Sequence, residues 1–401
     1  MSVCMHVMRD TADDVRLRRS ATTLGQAGWQ VTIVDVIGAS GHMSNNSSPL
    51  PQVAPYAIQH IPTSSDFQSQ RFAGMRRLQI LLLVLRATMA VLKQSADVYH
   101  ACEWTALPAC YIAALIHHKP LIFEAYELPL QDHALAALSK GRRRLYTWMQ
   151  LFLTYTLPRC AAVITVSPPI VHEIQSRYHI PHVTLLRNIS NYQATTKTPI
   201  LREYLQLSAQ TRIALYQGNL QPDRGLDRLV LAAAYLEPEC MLVIMGKNIG
   251  TTQAELEALI TLQHAGNYVK IIPAVPYDTL STWTASADIG LTILPLDYSE
   301  NMKMCLPNKL FEYIQAGLPV LSSPLPAVQE ILNTYNVGKV ISSLHPAAIG
   351  TAINTMLNDS TALKRMHDNA LQAAHQDLCW EKESQYLIRL YQQVMPIFSS
   401  A

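Results

Sequence analysis

Cys305-Leu306-Pro307-Asn308-Lys309-Leu310-Phe311-Glu312-Tyr313-Ile314-Gln315-Ala316-Gly317-Leu318-Pro319-Val320-Leu321-Ser322-Ser323 packs a helix start, a helix stop and a new strand into one short stretch. Pro307 suits the first helical turn, where its missing N–H is no loss, and Gly317 suits the left-handed residue just past a helix end. Leu318-Pro319-Val320-Leu321 then reads as a strand. Upstream, the apolar run Ile289 to Leu296 has the composition of a buried strand, so the order is strand, loop, short helix, strand: one βαβ unit. In a parallel sheet of such units a ligand sits beyond the carboxyl ends of the strands, where helix N-termini favour anions. Glu312, a turn and a half into the helix, points near that mouth. A carboxylate repels phosphate but accepts well from hydroxyls, which suits the sugar end of a nucleotide.

Moving outward, Tyr216-Gln217-Gly218-Asn219-Leu220-Gln221-Pro222-Asp223-Arg224-Gly225-Leu226-Asp227 follows a strand and opens a helix. Gly218 lets a ligand approach the backbone closely, and Arg224 supplies a forked cation able to grip a pyrophosphate. The plainer reading of this segment, an exposed loop with a solvated arginine, carries about equal weight, since a lone glycine-plus-arginine loop is a weak motif. Met241 to Gly246 is a strand ending in glycine, and Ala287-Asp288-Ile289-Gly290 opens the unit described first. Strands are expected at 213–217, 241–245 and 269–272, with helices over 226–236 and 278–287.

The first half alternates in the same way. Strands are expected at 3–8, 31–36, 56–61, 98–101, 121–123 and 162–166, with helices over about 70–94, 105–117 and 137–157; residues 38–55 form a polar loop. The polar segment from Asn188 to Pro199 has a linker's composition. This pattern predicts an α/β protein of two Rossmann-like, doubly wound domains facing across a cleft, at 1–195 and 200–380, with a last helix in 381–401 packing back on the first.

Composition narrows the setting. Charged residues make up 15% of the 401 and the formal net charge is +2, too mild to argue for a nucleic-acid partner. Seven scattered cysteines without a C-x-x-C pair fit a reduced, cytoplasmic environment. The fourteen histidines lack H-E-x-x-H spacing, so no metal site is expected. The first eight residues are too short for a secretory signal, and the apolar run Leu78 to Leu85 is too short to span a bilayer. Arg142-Arg143-Arg144 opens an aromatic, apolar helix that would suit an anionic membrane surface; a core helix with a solvated basic turn is the commoner arrangement.

Taken in order, four pieces resemble the retaining glycosyltransferases of family 4, which have the GT-B fold. They are residues 216–227, 242–246, 287–291 and 306–320. The last is the most specific and looks like the variant found among bacterial cell-surface polysaccharide transferases. The first half resembles the family more loosely, through Gly28 to Thr32, Ala162 to Ser167 and Leu186-Arg187-Asn188. The resemblance implies transfer of a hexosyl group from a nucleotide-diphosphate sugar to a glycan or lipid-linked acceptor with retention, without a cofactor.

Carried over by position, Gly218 and Arg224 would face the donor diphosphate, the backbone of Cys305, Leu306, Pro307 and Asn308 would lie along the donor sugar, Glu312 would accept from the ribose hydroxyls, and Asn219, Gly246 and Lys309 would complete the donor-binding set. Arg224, Glu312 and Tyr126 would be the catalytic set. Three positions depart from the family. Met304 stands where its first paired glutamate would be, Asn219 where many members are basic, and Tyr126 where the segment Phe123-Glu124-Ala125-Tyr126-Glu127 would have histidine. These departures leave two other readings open: a nucleotide-sugar epimerase of similar shape, and a non-catalytic nucleotide-sugar-binding homologue. No D-x-D occurs in the sequence, which fits a diphosphate held by protein rather than by a divalent ion.

Overall fold

The computed structural model of the chain describes residues 1–37, 54–63, 73–130, 140–296 and 298–399, without the side chains at 73–78, 140, 142 and 396–399. Most of the polar loop read at 38–55 therefore lies outside the described residues. The chain divides into two compact units, Met1–Arg187 together with the chain from Ser384, and Asn188–Glu383.

The first unit is built on β1 (Ser2–His6), β2 (Gln30–Ile37), β3 (Tyr56–Pro62), β4 (Val98–Cys102), β5 (Leu121–Ala125), β6 (Ala162–Thr165) and β7 (Thr184–Leu185). They form one sheet in the order β3-β2-β1-β4-β5-β6-β7, every pair parallel. β4 and β5 are buried along their whole length, as expected of strands covered by helices on both faces. Helices Val15–Gln26, Ala73–Leu92, Leu107–His117, Lys140–Thr156 and Pro168–Tyr178 make the crossovers. The two-residue β7 carries too little hydrophobic pattern to be read from sequence.

The second unit repeats the plan with β8 (Arg212–Gln217), β9 (Cys240–Gly246), β10 (Val269–Pro273), β11 (Ile289–Thr292), β12 (Val320–Ser322) and β13 (Gly338–Val340), ordered β10-β9-β8-β11-β12-β13. Along β8 the side chains alternate: Ile213 and Leu215 join one core, Ala214 and Tyr216 the other. The order reverses between β8 and β11, so the loops leaving these two strands flank the crevice where doubly wound sheets bind ligands.

Several boundaries differ from the sequence reading for identifiable reasons. β11 ends at Thr292 rather than near Leu296, and a short helix, Glu300–Met304, capped by the Ser299 hydroxyl, precedes the main one. The seam between units falls at Arg187/Asn188, at the start of the polar segment. That segment joins the second unit because Gln315 reaches it: its Nε2 donates to the Ser190 carbonyl at 2.9 Å and its Oε1 accepts from the Ser190 hydroxyl at 2.6 Å. Asp288 adds to the hold, pairing with Lys197 at 2.7 Å and Arg202 at 2.5 Å while accepting the Ile213 N–H at 2.8 Å. The final helix, Trp380–Ser399, places Tyr391 in the first unit, where its hydroxyl is 2.7 Å from His100 Nδ1 and its ring meets Trp29 edge-on.

Candidate functional site

The site is assembled where β8 ends. Gly218 has φ +137°, a backbone open to glycine and strained for other residues, and its N–H donates to the Met245 carbonyl at 3.0 Å. Next to it, a Cβ on Gly246 would stand 1.7 Å from the Gly218 carbonyl oxygen. Gly246 therefore works by packing: with no side chain there, the loop after β8 can close on the loop after β9. Leu220 N–H to Lys247 O at 2.8 Å and Ile249 N–H to Leu220 O at 3.0 Å fasten the two together.

The opposite wall is the helix Asn308–Gln315, for which Pro307 is the capping residue and Gly317, at φ +70°, the left-handed exit. Tyr313 anchors it. The phenol donates toward the Leu215 and Leu291 carbonyls at 3.0 and 3.3 Å and accepts the Gln217 N–H at 2.9 Å, tying β8 to β11. A Cβ on Gly290 would lie 2.4 Å from the Tyr313 ring, which explains the glycine in Ala287-Asp288-Ile289-Gly290. One residue earlier in the helix, Glu312 accepts from Gln217 Nε2 at 2.5 Å, and Gln217 Oε1 accepts the Thr284 hydroxyl at 2.7 Å. This relay aims the Glu312 carboxylate. In the sequence, Gln217 and Thr284 carry no motif that marks them as site residues. The available signal was a glutamine on the face that Ile213 and Leu215 give to the core.

Two cations lie near one another here, and one of them, Lys309, sits beside Gly218. Arg224 lies in the turn Pro222–Arg224, with Nε 3.7 Å from Asp223 Oδ1 and Nη1 3.9 Å from Met302 Sδ. Lys309 Nζ rests 3.6 Å over the centroid of the Tyr216 ring and is out of water, while other parts of the residue are partly exposed. A Cβ on Gly218 would be 3.2 Å from that nitrogen. Burial and Arg224 lower its pKa from 10.5 to about 7, against Glu312, Cys305 and Asp223, which raise it.

The remaining positions sort by what they expose. Asn219 is exposed, and its carbonyl accepts the Tyr216 hydroxyl at 3.0 Å. The Cys305 thiol donates to the Met302 carbonyl at 3.2 Å, Leu306 is in the core, and the Asn308 side chain accepts from Asn188 at 3.0 Å. Leu306 can thus offer a ligand only its backbone. Met304 is half-buried at the end of its short helix.

The model for Glycosyltransferase Family 4 matches residues 15–189, and that for Glycosyl transferases group 1 matches residues 198–373. The chain belongs to glycosyltransferase family 4. Solved structures agree on a GT-B fold: sucrose-phosphate synthase from Thermosynechococcus elongatus superposes with a TM-score of 0.76 at 16% identity, and HepE of Anabaena in complex with UDP and glucose with 0.70 at 16%, each covering 100% of both chains. Among curated relatives, an alpha-D-kanosaminyltransferase of Streptomyces kanamyceticus is 21% identical over 72% of this chain and 75% of its own length. A D-inositol 3-phosphate glycosyltransferase of Xylanimonas cellulosilytica is 26% identical over 50% of this chain, and that match spans only 46% of the relative.

In this family 4 chain the first unit holds a second polar cluster. Glu124 accepts from Arg16 Nε at 2.8 Å and Nη2 at 2.5 Å and lies 3.2 Å from His100 Nε2. Burial pushes its carboxyl up, but Arg16 and His100 outweigh burial and bring it down to about 2. Tyr126 sits among these groups with Arg9 and Arg16 at 5.2 and 5.3 Å from its ring centroid. Burial, with the neighbouring Cys102, Glu124 and Asp14, raises its phenol well above the ordinary value, so it stays protonated and serves as a donor or a surface rather than a base. His100, Cys102 and Glu124 bring ligand-type atoms close together, with Arg16 on Glu124 Oε1 and burial raising the Cys102 thiol.

Proposed function

We propose that this chain moves a hexosyl group from a nucleotide-diphosphate sugar to a glycan or lipid-linked acceptor, with retention of configuration and without a divalent metal. The observation carrying this reading is Lys309 Nζ lying beside the bare backbone of Gly218, with Arg224 near enough to act on its charge and Glu312 held by Gln217. The two cations would take up the charge that develops on the leaving diphosphate, the kind of preorganised stabilisation that lowers a barrier most. The donor C1–O bond breaks as the acceptor oxygen bonds C1 on the same face, and the acceptor proton passes to the departing diphosphate. No strong protein base is needed, which accommodates Tyr126. Glu312 would accept from the ribose hydroxyls. Complexes of HepE with UDP and with UDP-glucose support a uridine nucleotide as the first donor to try.

A thermal-shift screen of UDP-, GDP- and ADP-sugars should find one stabilising donor. Turnover of that donor with acceptor should persist in excess chelator, and the product linkage by NMR should keep the donor's anomeric configuration. Activity lost in chelator and restored by manganese would overturn the metal-free reading, and an inverted product the retaining one. Binding without turnover or hydrolysis would favour the non-catalytic homologue.

The lipid-linked acceptor has its own support. Neighbouring helices of the first unit expose large apolar side chains, among them Leu81 and Leu85, Leu115 and Ile116, and Leu145, Trp148 and Leu151, with Arg86, Arg143 and Arg144 also exposed. Among the described residues, no helix is long and apolar enough to cross a membrane. An apolar face flanked by basic residues suits a protein resting on the anionic cytoplasmic leaflet. The Arg142-Arg143-Arg144 run read from sequence opens this face, and the Arg142 side chain lies outside the described residues. Co-sedimentation with anionic liposomes should be lost in Arg143→Ser/Arg144→Ser; retention at high salt would remove the electrostatic part of the reading.

A further inference from the structure

We propose that Lys309 is the second cation of the diphosphate site, filling the role vacated by Asn219, and that donor binding draws a proton onto it. The proposal rests on the donor reading above. Its ground is geometric. Lys309 Nζ is buried, has no hydrogen-bonding partner among the described residues, and lies beside Gly218, whose backbone no side chain covers. The Tyr216 ring beneath it is fixed by the hydroxyl's bond to the Asn219 carbonyl, so the nitrogen has a set platform. Asn219 itself is exposed and uncharged, while Lys309 reaches the same glycine from the other wall of the site. A basic residue is thus supplied from the helix Asn308–Gln315 rather than from the loop after β8.

The groups that face this ammonium explain the coupling to protons. Arg224, from the turn after β8, repels it; Asp223, from the same turn, and Glu312 and Cys305, from its own helix and the residues leading into it, favour its charge; burial opposes it. The balance leaves Lys309 near half-charged at neutrality. A diphosphate set between Arg224 and Lys309 adds negative charge at close range, and the equilibrium moves to the protonated amine. With an empty-site value near 7, roughly nine in ten molecules are neutral at about pH 8, and donor binding takes up close to one proton. At about pH 6 most are already charged and uptake falls to roughly a tenth. The apparent dissociation constant should accordingly rise above neutrality, approaching about tenfold per pH unit.

The test is isothermal titration calorimetry of the full chain with whichever of UDP-, GDP- or ADP-glucose binds, in two buffers of different ionisation enthalpy. Expected for the wild type is uptake of roughly 0.9 proton at about pH 8 and roughly 0.1 at about pH 6. Lys309→Met should abolish uptake and weaken binding roughly 10- to 100-fold at about pH 6. Adding Asn219→Arg to Lys309→Met should restore affinity without restoring uptake, because arginine stays charged. Binding by the wild type with no uptake at about pH 8 would overturn the inference and leave the donor reading standing, as would uptake undiminished in Lys309→Met. Failure of all three nucleotide sugars to bind would overturn both.

Discussion

At the end of β5, Glu124 meets a guanidinium on one side and an imidazole on the other; at the end of β8, Lys309 Nζ, equally out of water, meets the face of a tyrosine. The two sheets share their strand order through six strands, and both place ionisable groups at their carboxyl edges. They differ in whether those charges are settled within the fold. In the first unit the buried carboxylate is matched by Arg16 and held far into its ionised form. In the second, Arg224 sits close enough to depress the charge on Lys309, with Glu312 drawn aside by Gln217. A buried ion that is paired specifies structure, whereas one left short of counter-charge is poised for an anion from outside.

The comparison breaks first if the first unit's pair is not structural. Arg16→Met leaves Glu124 buried without its main counter-charge, and the cost of breaking such a pair is about 3–5 kcal/mol. Urea unfolding followed by circular dichroism should show a loss of that size; a loss below about 1 kcal/mol would mean the pair is not what holds Arg16 and Glu124 in place. The wild type has a matching acid signature. The folded-state value of Glu124, about 2, is below the ordinary 4.5, so its contribution is complete above that ordinary value and disappears as the pH falls toward about 2. Arg16→Met should flatten that decline.

Arg224→Ala comes next and should have the opposite profile. Arg224 is part-exposed and makes no buried pair, so stability should hardly change. Its proposed work is on the diphosphate, and turnover should fall by roughly two to three orders of magnitude, the scale of a single preorganised electrostatic donor. Near-normal turnover in a folded Arg224→Ala protein would move the reacting centre away from β8.

What the sequence made legible, and what it hid, follows from the range of the interactions. The fold was readable because its signals are local: Pro307 and Gly317 bracket a helix, and apolar runs alternate with helical stretches. Gly218 was readable for the same reason. Gly290 reads from sequence only as punctuation and Gly246 only as a donor-binding glycine, since the packing reason for each is a partner far along the chain, the Tyr313 ring and the Gly218 carbonyl. Lys309 reads from sequence only as a donor-binding residue, and nothing in its neighbours along the chain reveals that its nitrogen lies over Tyr216. Gln217 escaped altogether. A glutamine closing an apolar strand resembles solvent exposure until Glu312 and Thr284 are brought to either side of it.

That relay gives the smallest and most selective prediction. Gln217→Leu keeps the volume and the strand, and the Thr284 hydroxyl falls back on the Leu280 carbonyl, which it already approaches at 2.8 Å. Folding should therefore be nearly unaffected. Glu312 keeps its charge but loses the amide that aims it, a hydrogen bond to a charged group worth about 1.5–3 kcal/mol net, of which only a part bears on the donor. The expected result is a donor KM raised roughly five- to tenfold with kcat little changed, since the proposed ribose contact would be made equally in the ground and transition states. Glu312→Gln should raise KM further, because it removes the acceptor charge itself. If Gln217→Leu instead lowers kcat and leaves KM alone, Glu312 acts on the reacting sugar rather than the ribose, and the division of labour between the two walls of the site has to be redrawn around it.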